Sequence, residues 1–439
     1  MLLKSILCVV CGCALLVLSQ FVGPVRSGAW RLLAAAPIEA QEHDIDPDYE
    51  PLHKGYISLG TGLYIREDED LIVRGTPTLF LRRTYRSGFN IQREFGIGAT
   101  HNGGRLVEGD PDRFQWAEIG APDGRHIRFE RTSPGTSYSN ALFEHRSSPS
   151  EWQGAQLGWT GTGWAARRRD GSVMVFQDCG HGSAPHCWIL WERDADGHRI
   201  DYKRDATGRL LRIEASPDRW IAFDYDDAHR IRRAYSSDDD EVSYEYDDRG
   251  RLSRARGSDG GTDVYTYTDR NELASIETGN GLIENVYDMS GRVITQVNSY
   301  PNDVDEPYTF AFTYKVVNGQ VADVESKRSD GTWQRLVYGS RYIREESWGA
   351  DGYQPLTFKY ERDRVTNIVT SVTLTCPDNK GRATTHAAVS VQPDSEEWIK
   401  WDLVRTVCAW RQERWLQPNR RPPSAFRRGD GTPDPSYGA

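Results

Sequence analysis

Cysteine is scarce in this 439-residue chain: there are seven, and three of them, Cys8, Cys11 and Cys13, fall in the first 13 positions. Methionine is scarcer still, with three, and phenylalanine (13) is outnumbered by tyrosine (21) and tryptophan (14). Apolar residues reach only 38%. That composition disfavours one large greasy core and suits half-exposed sheet faces, where amphipathic aromatics pack by the ring and keep a polar edge. Positive charge is outnumbered, with 54 lysines and arginines against 64 acidic residues. A formal net charge of −10 argues against electrostatic docking on nucleic acid or an anionic membrane. Acidic and basic residues alternate finely, as in the run from Arg204 to Arg209, which reads as a solvated sheet surface. What the chain has in quantity is glycine, 41 residues, much of it in Asp-Gly and Gly-Arg steps that mark frequent turns.

Residues 1–40 differ from the rest. Lys4 precedes an apolar run from Ile6 to Leu18, followed by Gly23-Pro24 and small residues at Ala34–Ala36 and Ala40. A core of this length predicts a cleaved signal peptide; an uncleaved N-terminal anchor, with the run stretching to Val25, is the competing reading. The expected location is therefore extracytoplasmic: periplasmic, outer-envelope or secreted. Any membrane contact would come through that segment alone.

Without it four cysteines remain, Cys179, Cys187, Cys376 and Cys408. An even number in an exported chain predicts disulfides, with three connectivities open. Pairing neighbours is preferred. Cys179 and Cys187 bracket a Gly/His/Pro loop between the apolar runs Val173–Phe176 and Trp188–Trp191. Cys376 and Cys408 would then tie the last hairpin to the C-terminal segment.

Aligning the chain with itself exposes a repeat. Tyr202–Leu210, Phe223–Ile231, Tyr244–Leu252 and Tyr265–Leu273 superpose, and Asn285–Val293 follows. Their terminal apolar positions lie 21, 21, 21 and 20 residues apart, a fixed period of the kind that marks stacked supersecondary units. Two aromatics two positions apart, such as Tyr244 and Tyr246, share one face of a strand. The aspartate that follows opens a turn by accepting from backbone two residues on, and a glycine three residues further accepts positive φ. The turn residues are thus Asp205 and Gly208, Asp226, Asp247 and Gly250, Asp288 and Gly291. His229 and Asn271 stand where the glycine is expected; asparagine tolerates that backbone region better than histidine. Weaker copies at Tyr314–Val321, Tyr338–Ile343 and Tyr360–Val365 extend the array to about residue 375. Asp123–Ile127 and Asp196–Ile200 read as further hairpin turns upstream.

The pattern Tyr-x-Tyr-Asp-x-x-Gly-Arg-Leu at this period resembles the motif of YD-repeat, or Rhs-like, proteins. Thr76–Ser87 and Phe95–Asn102 resemble the N-terminal domain that precedes such repeats, except that Ala99 stands where that motif commonly carries tryptophan. The resemblance covers about residues 50–375. It implies hairpins wound into a spiral or curled antiparallel sheet, which in long members closes into a hollow shell. The shell-forming bacterial members end in a self-cleaving aspartate-dependent motif and a variable toxin; Asp434-Pro435 stands here without that motif. The fold expected is mainly β: a partial shell of YD-repeat hairpins with a C-terminal helix. The organisation expected is a signal peptide or anchor (1–40), a β-rich N-terminal domain that caps one end (41–180), the hairpin array (181–375), a C-terminal cap (376–416) and a disordered tail (417–439). In the cap, Asp394 and Glu397 would open a helix on which Trp398, Trp401, Val404, Cys408 and Trp415 recur at helical spacing.

The search for chemistry finds no catalytic constellation and no cofactor motif, and the chain reads as a non-enzyme. Cys179, His181, His186 and Cys187 are zinc-ligand types, but adjacent His186 and Cys187 fit poorly round one tetrahedral ion, and the disulfide is preferred. The acidic run Asp238–Glu241 lacks calcium-loop spacing. Arg428-Gly429-Asp430 is an integrin-type tripeptide in a tail rich in those residues. Two readings stay open: an exported scaffold or binding module at the cell envelope, contacting a protein or glycan, and a fragment or accessory of an Rhs-type toxin-delivery system.

Overall fold

Period-two alternation becomes strand wherever the sequence carries it. The computed structural model describes residues 52–53, 56–104, 106–109, 114–121, 126–146, 150–178, 187–299, 308–339, 342–352, 354–364, 367–377 and 383–389. Within these, strands dominate, and the single helical element is a 3-10 turn at Tyr138–Asn140. No helix among the described residues is long and apolar enough to cross a membrane. The signal segment, Cys179, Cys408, the C-terminal helix and the tail lie outside the described residues.

From Leu106–Gly109 to Ala383–Val389, each strand pairs antiparallel with the next in chain order, giving one long sheet that as a whole is not closed into a barrel, although pairing of Leu106–Gly109 with Cys187–Arg193 joins its first eight strands in a ring. One lateral pairing departs from this order: Leu106 and Val107 lie opposite Trp188 and Cys187, folding the start of the series back onto the strand that leads into the repeats. Pairing runs without a break across residue 180, since Cys187–Arg193 is bonded both to Val173–Gln177 and to Arg199–Arg204.

Eight hairpins follow. The five clear units are Arg199–Ser216, Arg219–Ser236, Glu241–Gly257, Thr262–Thr278 and Gly281–Ser299; the weaker ones are Tyr308–Arg328, Thr332–Ala350 and Leu356–Pro377. The last unit re-enters its second strand at Val369, which is buried, after a turn in which the Asp363 N–H donates to the Ile368 carbonyl.

In each clear unit the register shifts at the position of the second aromatic, which is Arg204 in the first unit and then Tyr225, Tyr246, Tyr267 and Tyr287. This bulge changes the phase of the returning strand. Leu210 and Ile213, three apart, are both buried, as are Leu252 and Ala255, and Leu273 and Ile276; an unbulged strand would place them on opposite faces. The first aromatics Tyr202, Phe223, Tyr244 and Tyr265 point to the same inner face and are 3–5% exposed.

That face is covered by the leading segment, residues 56–104. Its three-stranded sheet, Ile65–Val73, Leu79–Arg86 and Ala99–His101, packs ring against ring. Phe95 meets Tyr244 at 4.8 Å between centroids, Tyr85 meets Tyr267 at 6.0 Å and His101 stacks on Phe223 at 6.0 Å. The expectation of a domain that merely caps one end is thereby revised. Residues 106–178 prolong the sheet, whereas residues 56–104 line its inner face. A curled sheet with bulky aromatics turned inward exposes an apolar face until something fills it, and the segment nearest in the chain does so.

Candidate functional site

The repeat turns form a polar constellation that recurs along the array. In four units the aspartate Oδ1 accepts the backbone N–H groups two and four residues on, and Oδ2 accepts Nε of the arginine four residues on, all at 2.7–3.0 Å. These are Asp205 with Thr207 and Arg209, Asp226 with Ala228 and Arg230, Asp247 with Arg249 and Arg251, and Asp288 with Ser290 and Arg292. The aspartate carbonyl also accepts the N–H of the positive-φ residue, closing a type I turn with a glycine bulge. φ is +89° at Gly208, +83° at Gly250 and +79° at Gly291, and the non-glycine stand-ins His229 (+63°) and Asn271 (+67°) adopt the same region.

The fourth unit inverts the chemistry. Thr268 Oγ1 takes the aspartate's role, accepting the N–H groups of Arg270 and Glu272 at 3.2 Å and donating to Glu272 Oε2 at 2.8 Å. The upstream turn expected at Asp196–Ile200 is of the same kind, with Asp194 in place of Asp196 as its turn aspartate. The Gly197 N–H donates to the Asp194 carbonyl, and Asp194 Oδ1 accepts the His198 N–H at 2.8 Å. Its D-x-x-G spacing was the available signal.

Successive units are locked together by the same residues. The arginine of each turn lies over the second aromatic of the next unit: Arg209 over Tyr225 (5.3 Å to the centroid), Arg230 over Tyr246 (4.3 Å), Arg251 over Tyr267 (4.9 Å) and Arg292 over Tyr314 (5.8 Å). That tyrosine hydroxyl donates backward to the carbonyl at the preceding bulge. Tyr225 reaches Leu210 at 2.7 Å, Tyr246 reaches Ile231 at 2.5 Å, Tyr267 reaches Leu252 at 2.8 Å, and Tyr314 reaches Val293 at 2.8 Å. Tyr-Asp-x-x-Gly-Arg is therefore one device. The aspartate shapes the turn and aims the arginine, the arginine clamps the next ring, and that ring's hydroxyl satisfies a carbonyl the bulge has freed.

Electrostatics agree with this division of labour. Burial pushes the carboxyls of Asp226, Asp247 and Asp288 up, but bonds from their own turns and the facing arginine outweigh it and hold them below the usual carboxylate range. In Asp205 the hydrogen bond from the Thr207 side chain is the largest influence, and the carboxyl is held well below that range.

Beneath the turns the leading segment bonds to the bulges themselves. The N–H of Ile231 donates to the Glu94 carbonyl at 2.7 Å, that of Val293 to the Gly62 carbonyl at 2.8 Å, and that of Leu273 to the Tyr85 hydroxyl at 3.1 Å. Ile97 N–H in turn donates to the Gly250 carbonyl at 3.2 Å, and Gly96 at φ +90° lets the backbone approach there, because a Cβ would lie 2.5 Å from that oxygen. The anchor is Arg83, which is 2% exposed. It donates to Asp70 through Nε at 3.0 Å and a terminal nitrogen at 3.1 Å, and to the Tyr265 hydroxyl at 2.9 Å. The Tyr244 hydroxyl completes the group by donating to Asp70 at 2.7 Å. Burial alone would lower Arg83, but Asp70 and Asp68 outweigh it and keep the guanidinium charged. His101, fully buried, accepts the Gly103 N–H at Nδ1, and burial pushes its pKa down to about 4 against the opposing pull of Glu94. Arg83, Asp70 and His101 were not legible as a set because the rings that close round them, Tyr265, Tyr244 and Phe223, lie more than 100 positions away.

The remaining candidates are placed as follows. Cys187 is disulfide-bonded and buried; its expected partner Cys179, with His181 and His186, lies outside the described residues. Cys376 is buried, and its expected partner Cys408 lies outside them too. In the acidic run Glu241 forms an ion pair with Arg233, and Asp239 holds the turn at φ +65°. Among the described residues, the one cluster with metal-ligand types is Asp194, Asp196 and His198, exposed or half-exposed in the first turn; Asp194 is already engaged by that turn through His198.

Comparison with known proteins touches one part of this site directly. Residues 55–129 match the family described as "Domain of unknown function (DUF6531)". The match contains the whole leading segment from Tyr56 onward, including Arg83, Asp70 and His101. No curated protein matches the sequence. Solved structures with likeness to the chain include the crystal structure of TcdB2-TccC3-Cdc42 (10% identity, TM-score 0.35, covering 76% of this chain and 22% of that one). Another is TcdB2-TccC3 without its hypervariable C-terminal region (11% identity, TM-score 0.34, 72% and 22%). A third is the Photorhabdus luminescens Tc holotoxin pore (11% identity, TM-score 0.27, 78% and 24%). The chain spans about a fifth of the length of the first two, and a likeness at these scores carries no functional argument.

Proposed function

We propose that this chain is an exported, non-catalytic β scaffold of the cell envelope that presents its outer sheet face and loops to a protein partner. The observation that carries the reading is the commitment of the repeat's reactive groups to structure. Turn carboxylates are bonded within their own turns, turn arginines lie on the next ring, and tyrosine hydroxyls are bonded to bulge carbonyls. A general acid or base needs a group near its working pKa with access to substrate, and these groups are neither.

Protein contact is favoured over glycan contact by the burial of Tyr202, Phe223, Tyr244 and Tyr265 at 3–5% exposure. Rings closed off beneath the leading segment have no face to offer a sugar. The test is fractionation of cells producing the full tagged chain, with in-cell crosslinking. The expected result is an extracytoplasmic chain crosslinked to an envelope protein, with flat binding on a glycan array. A chain retained in the cytoplasm would overturn the reading, and a co-purifying YD-repeat or toxin chain would replace it with the toxin-system alternative.

A further inference from the structure

A repeat carries its own control, because equivalent positions in successive units can be set side by side. Three positions recur around the turn of each clear unit: the one before the second aromatic, the one after the turn's first residue, and the one after the apolar residue that opens the returning strand. In the second, third and fourth units these are Asp224, Glu245 and Thr266, then Asp227, Asp248 and Asp269, then Arg232, Ser253 and Ala274. The fifth unit carries Val286, Met289 and Ile294 in their place. The sixth hairpin adds Val316 and Val317. These are five of the nine large apolar side chains exposed among the described residues, with Met289 at 90% and the others at 36–53%.

The five are neighbours. Val286 lies opposite Thr295, beside Ile294, which is the extra residue of that unit's bulge. Thr295 lies opposite Ala311 on its other side. The Tyr314 hydroxyl on the Val293 carbonyl, with Arg292 over the Tyr314 ring, holds the sixth hairpin against the fifth unit as far as the turn. Continued from there, the antiparallel register brings Val316 and Val317 beside the Asp288–Gly291 turn that carries Met289. The sixth hairpin is also longer. Its strands have ten and nine residues, against six or seven in the clear units. They meet at a tight turn with Asn318 at φ +52° and Gly319 at +83°, so the tip stands past the neighbouring turn by about two residues, or ~7 Å. The backbone beneath Met289 is fixed: Arg270 of the preceding unit donates to the carbonyls of Met289 at 2.9 Å and Asp288 at 2.7 Å.

We infer that this apolar knob is where the chain docks into an apolar groove on a protein partner; the inference rests on the protein-contact reading above and gives it a place. Single exposed apolar side chains are ordinary, whereas a contiguous group on a fixed support is the anatomy of an interaction site. A projecting knob fits a concave partner. Two copies would meet knob to knob, and five side chains fall far short of the roughly 20–30 residues a side that a stable dimer uses. A lipid surface is disfavoured by the net charge of −10 and by the lack of tryptophan or tyrosine in the group, the residues that anchor at a bilayer interface.

A benzophenone side chain placed at position 289 or 317 of the full chain, in producing cells, tests this, with 227 and 248 as matched turn positions. The expected result is one protein crosslinked from both 289 and 317 and from neither control. Combining Val286→Thr with Ile294→Ser should cut that yield at least tenfold while the chain melts as before, since both side chains are exposed. A crosslink to a second copy, equal yields at 227 and 248, no crosslink from 289 and 317, or a yield unmoved by the double variant would each overturn the site. So would flotation of the purified chain with phosphatidylcholine–phosphatidylglycerol vesicles that the double variant abolishes. The wider reading fails separately. A partner caught only through 227 or 248 removes the site and leaves protein contact standing, whereas a cytoplasmic chain that still crosslinks only from 289 and 317 keeps the site and loses the envelope.

Discussion

Replacing Tyr246 by phenylalanine deletes one oxygen and leaves the ring under Arg230, so it isolates the bond between successive units. The lost hydroxyl donates at 2.5 Å to the carbonyl of Ile231, a fully buried residue. Losing a donor to a buried carbonyl costs about 1–2 kcal/mol, since no solvent reaches it in compensation. Tyr287→Phe is the internal control. Its hydroxyl donates at 2.8 Å to the Leu273 carbonyl, but that oxygen also accepts the Asn285 side-chain amide at 3.1 Å. One partner survives, so the loss should be about half as large or less. Because a repeat array need not unfold as one unit, the measurement is hydrogen exchange of the strand Ile231–Ser236 in the first variant and Leu273–Thr278 in the second, beside thermal unfolding. Exchange should quicken by about tenfold or more in Tyr246→Phe and by only a few-fold in Tyr287→Phe. Equal effects, or a larger one at Tyr287, would refute the claim that these hydroxyls serve bulge carbonyls.

Other outcomes follow from the same geometry. His229→Gly should stabilise the chain by about 0.5–1 kcal/mol, because histidine at φ +63° carries left-handed strain that glycine lacks; a lowered melting temperature would count against it. Arg83→Met should cost about 3–5 kcal/mol by leaving Asp70 buried without its cation, and limited proteolysis should then cut within residues 56–104 before it cuts the hairpins. His101 supplies a pH dependence. Its folded pKa of about 4 lies below the ordinary 6.5, so the unfolded chain binds the proton first. Its stabilisation is complete above pH 6.5 and is lost as pH falls toward 4, by about 3 kcal/mol over that window. The carboxylates act further down, below their ordinary range. Urea titrations from pH 7 to 4.5 should show a shallower slope for His101→Phe, and parallel slopes would remove His101 from the account.

The sequence by itself determined the hairpins. Asp at the turn, Gly three residues on and aromatics two apart are local instructions, each satisfied within about ten residues, so Asp205, Asp226, Asp247 and Asp288 were legible with their roles. The weaker hairpins at Tyr314 and Tyr338 were legible too, because the period survives where the motif decays. The start of the last returning strand at Val369 was not, because its turn is longer than the motif. Only the tertiary structure decided what lies beneath the repeat. The phase change at each bulge, which turns Leu252 and Ala255 to the same side, depends on cross-strand registry rather than on alternation along the chain. Arg83 reads as one more charge in a strand until Asp70 and Tyr265 close round it. Its partner Tyr265 lies 182 residues away, and a single sequence carries no local signal over such a distance. The repeat specifies a curled sheet with an apolar inner face, and covering that face is a demand on the whole chain, met here by residues 56–104.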